Sequence, residues 1–147
     1  MPAELAVLLD DRLLIEELLV GLARRRRRRA LFTTSYWYYR ACRAAVIGAG
    51  GHLSGPFEQL GPEEQGRAIL SLLELREDIG LPDPRRAVPL MADISSRHSQ
   101  LNLLNLEAVA AAQVLRARVW LSVRAASGVL PGVLEAEGVE WSVVTIK

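Results

Sequence analysis

The sequence lacks the features on which disulfide-bonded, secreted and membrane proteins depend. Its 147 residues include one cysteine, Cys42, so no disulfide can form within the chain, and a buried thiol among apolar neighbours is expected there. No apolar run approaches the roughly 20 residues that cross a bilayer. The N-terminus carries Glu4, Asp10 and Asp11, where a signal peptide would have basic residues followed by an apolar stretch. We therefore expect a cytoplasmic protein that does not span a membrane.

Acidic residues are absent from a long internal stretch, because no Asp or Glu occurs between Leu18 and Phe57. The formal net charge is only +1, yet residues 1–50 contain nine arginines and five acids. Most of that excess is one run: Arg24, Arg25, Arg26, Arg27, Arg28 and Arg29. Adjacent like charges repel one another, so the run is expected to end the first helix and form an exposed link to the next strand. Alternatively it binds a polyanion, because clustered arginines displace the counterions of phosphates.

Hydrophobic periodicity predicts an α/β fold. At 147 residues, half of them hydrophobic, the chain is long enough for one buried core and too short for two ordinary domains. Strand-like and helical segments alternate; the strands are expected at 4–9, 31–35, 118–122 and 139–146, and the helices at 13–23, 36–47, 62–75, 88–98, 105–115 and 129–137. Thr34 or Ser35 is expected to cap the second helix. The alternation predicts one domain, residues 1–147, with a mostly parallel central sheet flanked by helices.

Two segments of the chain carry a family resemblance. The first, LAVLLDDRLLIEELL, begins with a strand-like run that ends at Asp10 and continues through Arg12 into Leu14 and Ile15. The second, LNLLNLEAVAAAQVLRARVWLS, has an Ala-rich helix that opens near Asn105 and a strand-like run after it. Together they resemble the PIN-domain (PilT N-terminus) family of small magnesium-dependent ribonucleases, which includes many bacterial toxins. The resemblance covers roughly residues 5–145 and implies a PIN-like three-layer sandwich.

The resemblance also implies a site, and the chain departs from it. The family holds a divalent metal with three or four carboxylates at the carboxyl ends of the strands, and the metal activates water against a phosphodiester. Asp10 matches one acid, Asn105 replaces another, residues 38–41 stand where the family has a glutamate, and no acid lies between positions 119 and 134. Arg12 and Arg40 could place cations there, where they would repel a metal. This implies a degenerate site, with Asp10 as a remnant, no bound metal and no cofactor.

The favoured interpretation is a pseudo-nuclease that binds RNA or a protein partner and could form a homodimer. RNA would bind through the arginine-rich edge, and the aromatic tetrad 36–39 would supply stacking surfaces or a protein interface, with Tyr36 and Trp37 as its first candidates. Asp10 could equally serve a structural role by capping the helix that follows it. The main alternative is an active metal-dependent endoribonuclease of toxin type, which would use Asp10, Asp11, further acids and Mg²⁺.

Two weaker signals remain. The string AAVIGAGGHLSG, residues 44–55, resembles a dinucleotide-binding loop, but Leu53 takes the place of its third glycine. A helix end followed by a loop is the simpler interpretation, and a nucleotide-binding module is the weaker alternative. His52 and His98 lack the companion ligands of a zinc site, so neither is expected to bind metal.

Overall fold

The computed structural model describes residues 5–22, 29–47 and 54–146. A five-stranded sheet lies at its centre, and the strands are β1 (Leu5–Leu9), β2 (Arg29–Phe32), β3 (Ile79–Gly80), β4 (Arg118–Leu121) and β5 (Trp141–Val143). The strand order is β3-β2-β1-β4-β5, and every neighbouring pair is parallel. β1 is therefore central, with β4 beside it.

Helices cover both faces of the sheet. In the described part of the chain they are α1 (Asp11–Leu19), α2 (Ser35–Ile47), α3 (Gly55–Glu58), α4 (Pro62–Glu74), α5 (Pro84–Arg97), α6 (Leu103–Leu115), α7 (Val123–Ala126) and α8 (Leu130–Ala136). This arrangement confirms the predicted three-layer α/β sandwich. None of these helices has both the length and the apolar character needed to cross a membrane.

The core follows from the alternation of side chains along β1. Val7 and Leu9 point to one face and Leu8 to the other, and all three are fully buried. On the face of Leu8 lies α6, whose residues 108–112 are almost entirely inaccessible. Four of these five residues are alanines, and their small side chains allow the helix to pack close to the sheet. α6 then returns the chain to β4, which makes the parallel crossover.

Several boundaries differ from the sequence prediction. β3, α3 and α7 were not predicted, because elements of two to four residues show no periodicity. β2 begins at Arg29, two residues before the predicted strand, and β5 is confined to Trp141–Val143. α4 buries Ala68 and Leu72 as its core contacts, whereas Leu73 is 46% exposed.

Candidate functional site

The carboxyl ends of three adjacent strands meet at one edge of the sheet. β1, β2 and β4 are followed there by Asp10, Thr33 and Ser122, and all three side chains are buried. The hydroxyl of Thr33 donates a hydrogen bond to the carbonyl oxygen of Leu9 at 2.9 Å. Ser122 donates its main-chain amide and its hydroxyl to the carboxylate of Asp10. Side chains thus connect the ends of all three strands. We call this region the carboxyl edge.

Asp10 is the central residue of the carboxyl edge and is completely inaccessible to solvent. One carboxylate oxygen, Oδ1, accepts the main-chain amide of Leu13 at 2.9 Å, so Asp10 caps α1. The other, Oδ2, accepts the amide of Ser122 at 2.8 Å and the Ser122 hydroxyl at 2.7 Å. The structural role that the sequence allowed for Asp10, a helix cap, is confirmed. Both oxygens are committed to donors within the chain.

The environment of Asp10 disfavours its charged form. Burial is the largest influence and the neighbouring charge of Asp11 adds to it, so the pKa of Asp10 rises from 3.8 to about 6. The hydrogen bonds from Leu13 and Ser122 act in the opposite direction but are outweighed. Ionised Asp10 therefore destabilises the fold near neutral pH, and the donors around it limit that cost.

Asp11 and the two nearby arginines form a second group at this edge. Arg40 places its Nε 2.7 Å from Oδ2 of Asp11, so a guanidinium neutralises this carboxylate. Oδ1 of Asp11 accepts the main-chain amide of Arg12 at 2.8 Å. The side chain of Arg12 extends instead to Glu16, one helical turn further along α1, at 3.2 Å. Both arginines were candidates for this site from the sequence. The Arg40 side chain binds Asp11 at the carboxyl edge, and the Arg12 side chain does not.

Glu107 is a third acid at the edge, and its role was not predicted. Although it follows Asn105 by only two positions on α6, its nearly buried carboxylate reaches the start of α2. Oε1 accepts the amide of Tyr36 at 2.8 Å and Oε2 accepts the amide of Ser35 at 3.3 Å. The hydroxyl oxygen of Thr34 accepts the next amide, that of Trp37, at 3.0 Å, which confirms Thr34 as a cap. The first three free amides of α2 are therefore satisfied internally.

Asn105 lies in the first turn of α6. Its main-chain amide donates to the side chain of Asn102, the N-cap of the helix, at 2.9 Å. Because Glu107 on the same turn contacts the start of α2, this end of α6 lies at the carboxyl edge, as does Asp10. Within the described ranges, no hydrogen bond involves the side-chain amide of Asn105. Asp10 and Asn105, the two positions that the family resemblance suggests, therefore lie at the same edge of the sheet without being hydrogen-bonded to each other.

The remaining candidate residues belong to the arginine run and to the aromatic tetrad, and they differ in exposure. Arg29 is a strand residue of β2 whose guanidinium stacks 4.7 Å from the ring centre of Trp120, so its assignment to an exposed link is wrong. The other five arginines of the run, at 24–28, lie outside the described residues. Trp37 is 3% exposed and packs in the core, which leaves it no surface for stacking on a partner. Tyr36 and Tyr39 are exposed.

Of the two histidines, His98 lies in the described part of the chain and contacts an acid. His98 pairs with Glu137 at 2.8 Å, and Arg97 binds the same carboxylate at 2.9 Å. The Arg97 guanidinium, assisted by His98, lowers the pKa of Glu137 to about 2. This cluster links the end of α5 to the residue that follows α8. His52 and most of the glycine-rich string, residues 48–53, lie outside the described residues.

The acids of the carboxyl edge do not fit a magnesium ion. Mg²⁺ needs negatively charged oxygens that are free to replace its water molecules. Asp10 and Glu107 accept hydrogen bonds from main-chain amides and, at Asp10, also from a hydroxyl, and Asp11 is paired with a guanidinium. In the described part of the chain, no three residues of the types His, Cys, Asp and Glu are grouped closely enough to hold a metal.

Sequence reasoning missed Ser122, Thr33 and Glu107. A signal existed for Ser122, a small hydroxyl residue at the end of a strand-like run, where the carboxyl ends of parallel strands converge. Thr33 lay inside the predicted strand 31–35, so its position after β2 was not visible in the sequence. For Glu107 the signal was an acid on the buried Ala-rich face of α6, since a buried carboxylate requires donors. The identity of those donors depends on which helix begins beside it.

The structure is a parallel α/β sandwich with β1 at the centre of the sheet and an acid at the carboxyl end of that strand. The chain matches no family model and no curated protein. Among solved structures it is similar to the 2.2 Å structure of VapBC-1 from nontypeable Haemophilus influenzae, with a TM-score of 0.52 and 14% sequence identity. The similarity covers 95% of this chain and 98% of that one, and it shows the fold alone. The PIN-like fold predicted from the sequence is confirmed.

Proposed function

We propose that this chain is a PIN-like domain without nuclease activity, which acts in the cytoplasm by binding RNA or a protein partner, alone or as a homodimer. One observation carries the proposal: Asp10, Asp11 and Glu107 at the carboxyl edge all accept hydrogen bonds from donors of the chain itself. In a metal-dependent nuclease these oxygens would have to bind the ion. Here they hold strand ends and helix starts together.

Energetics favour the internal partners over a metal. Binding Mg²⁺ at Asp10 would remove the hydrogen bonds of Leu13 and Ser122, and each donor left buried and unpaired costs about 1–3 kcal/mol. A metal at Asp11 would also lie beside the Arg40 guanidinium and be repelled by it. The neutral amide of Asn105 offers only a dipole in compensation. The stretch between Leu18 and Phe57 contains no acid, so it cannot supply the negative charge that a metal site would need.

The alternative is a metal-dependent endoribonuclease of toxin type, with an antitoxin as its protein partner. Its support is the presence of Asp10, Asp11 and Glu107 at one edge, in a fold shared with VapBC-1. For this alternative the chain would have to release those carboxylates when RNA or metal binds. A nucleotide-binding module based on residues 44–55 gains no support from the described residues.

The proposal is tested by metal binding and RNA cleavage with the wild-type chain. Titration calorimetry with MgCl₂ and with MnCl₂ should show no binding near physiological concentrations, and single-stranded and structured RNA should remain intact with either metal. Glu63→Gln, which changes an exposed acid on α4, is the matched control for Asp10→Asn. Metal-dependent cleavage that Asp10→Asn abolishes and Glu63→Gln retains would overturn the proposal in favour of the active ribonuclease.

A second variant tests whether one acid is enough. Asn105→Asp restores a charge at the start of α6, so it should raise Mn²⁺ affinity modestly. RNA cleavage should not appear, because Asp10, Asp11 and Glu107 remain bound to their internal donors. If Asn105→Asp alone produces metal-dependent cleavage, the commitment of the other acids is not what keeps the wild-type chain inactive.

A further inference from the structure

Helix α2 presents one continuous exposed stripe. Its members recur at the three- and four-residue spacing that places side chains on the same side of a helix; they are Tyr36, Tyr39, Arg40, Arg43 and Val46. Tyr36 is 39% exposed, Tyr39 60% and Val46 57%. Arg43 is also exposed, and the Arg40 side chain is 44% exposed. We call this surface the α2 stripe.

The opposite side of α2 fixes the orientation of the stripe. Trp37, Ala41, Ala44 and Ala45 are buried in the core at the complementary spacing. The start of the helix is held by Glu107 and by Thr34, so α2 cannot rotate or fray at that end without losing three hydrogen bonds. The exposed rings and guanidinium groups are therefore carried on a rigid element, and a partner would not have to order it.

The α2 stripe is positively charged. α2 contains no acid, and within the described ranges Arg43 makes no ion pair. Within the described part of the chain, Arg40 bonds to Asp11 through its Nε alone, and its two Nη atoms bond to no described residue. The nearby acids Asp11 and Glu107 are already compensated by a guanidinium and by helix amides. Arg43 therefore carries the positive charge of the stripe that no described acid neutralises, and this charge attracts anions.

Cations beside exposed aromatic rings are the combination that binds single-stranded nucleic acid. Arginines contact the phosphates, and flat rings stack on bases of any sequence. Tyr36 and Arg43 are about 10 Å apart along the helix axis at 1.5 Å per residue, so rings and guanidinium groups are spread along the same face. A duplex would hide its base faces from the rings. Resting on the proposed function, and deepening it, we propose that the α2 stripe binds single-stranded RNA by stacking on Tyr36 and Tyr39 and by phosphate contacts to Arg40 and Arg43.

The test measures binding of a short, unstructured, fluorescein-labelled RNA by fluorescence anisotropy, with EDTA present so that metal plays no part. Tyr39→Ala should weaken binding roughly five- to a hundredfold, and Tyr39→Phe, which keeps the ring, should not. Arg43→Ala should weaken binding and reduce the log–log salt slope by about 0.7. Arg86→Ala, which removes an exposed arginine of α5, is the matched control. The series is repeated with residues 24–28 changed to serine, so that the arginine run cannot mask the effect.

Each outcome decides the proposal. An RNA affinity unchanged in both Tyr39→Ala and Arg43→Ala, or an absence of RNA binding by the wild-type chain, would overturn it. Equal affinity for an abasic strand of the same length would show that phosphate contacts occur without stacking, which contradicts the proposal. Displacement of RNA by polyglutamate, together with no effect of Tyr39→Ala, would indicate that the surface binds an acidic peptide, which also contradicts it. Thermal denaturation of each variant verifies folding. RNA cleavage with metal would overturn the proposed function and leave this surface unaffected.

Discussion

The carboxylate of Asp10 accepts hydrogen bonds from both the main-chain amide and the hydroxyl of Ser122, at 2.8 and 2.7 Å. The two residues are 112 positions apart, yet each directly follows one of the adjacent parallel strands β1 and β4. An acid that binds metal must keep an oxygen open to the ion, whereas this one holds two strand ends together and caps α1. The carboxyl edge is therefore built as a structural junction.

The first prediction concerns the hydroxyl of Ser122. Ser122→Ala removes one of the three donors to Asp10, and a hydrogen bond to a charged group contributes about 1.5–3 kcal/mol. We expect a loss of that size in the free energy of unfolding above the pKa of Asp10, and a smaller loss below it, where the carboxyl is neutral. Urea denaturation at about pH 8 and about pH 5 measures both. Ser142→Ala on β5 is the control and should show no such pH dependence.

The second prediction is a pH profile of stability. Because burial raises the pKa of Asp10 from 3.8 to about 6, the folded state binds more protons than the unfolded state between these values. The free energy of unfolding therefore falls as pH rises through this window, by about 3 kcal/mol for a shift of about two pKa units. Asp10→Asn removes this contribution, so its stability relative to wild type should increase from about pH 4 to about pH 7. A constant difference between the two proteins would contradict the assigned environment.

Much of the fold could be predicted because long elements have a clear period. β1, α2, α4 and α6 were located to within two residues at each end. β3 could not be predicted, because Ile79–Gly80 is too short to show alternation. Its glycine is required by packing: a Cβ at Gly80 would lie 2.6 Å from the ring of Phe32 on β2. That requirement is visible only when the two strands are placed side by side.

The candidate site was less predictable, because it depends on neighbours in space. Asp10 follows from a strand end in the sequence, but its partner Ser122 follows only from the pairing of β1 with β4. Glu107 lies in the sequence on an Ala-rich helix with no sign of its partner, because its position next to the start of α2 comes from the order of the sheet. The burial of Trp37 did have a sequence signal. It shares one helical face with Ala41, Ala44 and Ala45, and that small apolar face indicates a core contact.

The third prediction concerns Glu107 as the acceptor of the first two amides of α2. Glu107→Ala leaves the amides of Ser35 and Tyr36 without their acceptor, which should lower the free energy of unfolding by about 1–3 kcal/mol. Glu107→Gln keeps one oxygen and should lose less. Hydrogen exchange at the two amides should accelerate in both variants, whereas the amide of Leu14 in α1 should be unaffected. Glu77→Ala, which changes an exposed acid, serves as the stability control. Unchanged exchange at Ser35 and Tyr36 would show that Glu107 does not hold the helix.

The fourth prediction separates Arg29 from the rest of the arginine run. Arg29 is stacked on Trp120, so Arg29→Ala should lower stability by about 0.5–1 kcal/mol or more and leave RNA affinity nearly unchanged.

Residues 24–28 remain as candidate phosphate contacts, and five arginines give a log–log salt slope no steeper than about −3.5 for single-stranded RNA. Replacing these five residues with serine should flatten the slope by up to that amount, because each lost contact no longer releases a counterion. Anisotropy titrations at several salt concentrations provide the measurement. If the serine variant binds RNA as tightly as the wild type at every salt concentration, residues 24–28 make no phosphate contact, and the run serves as a solvated connection.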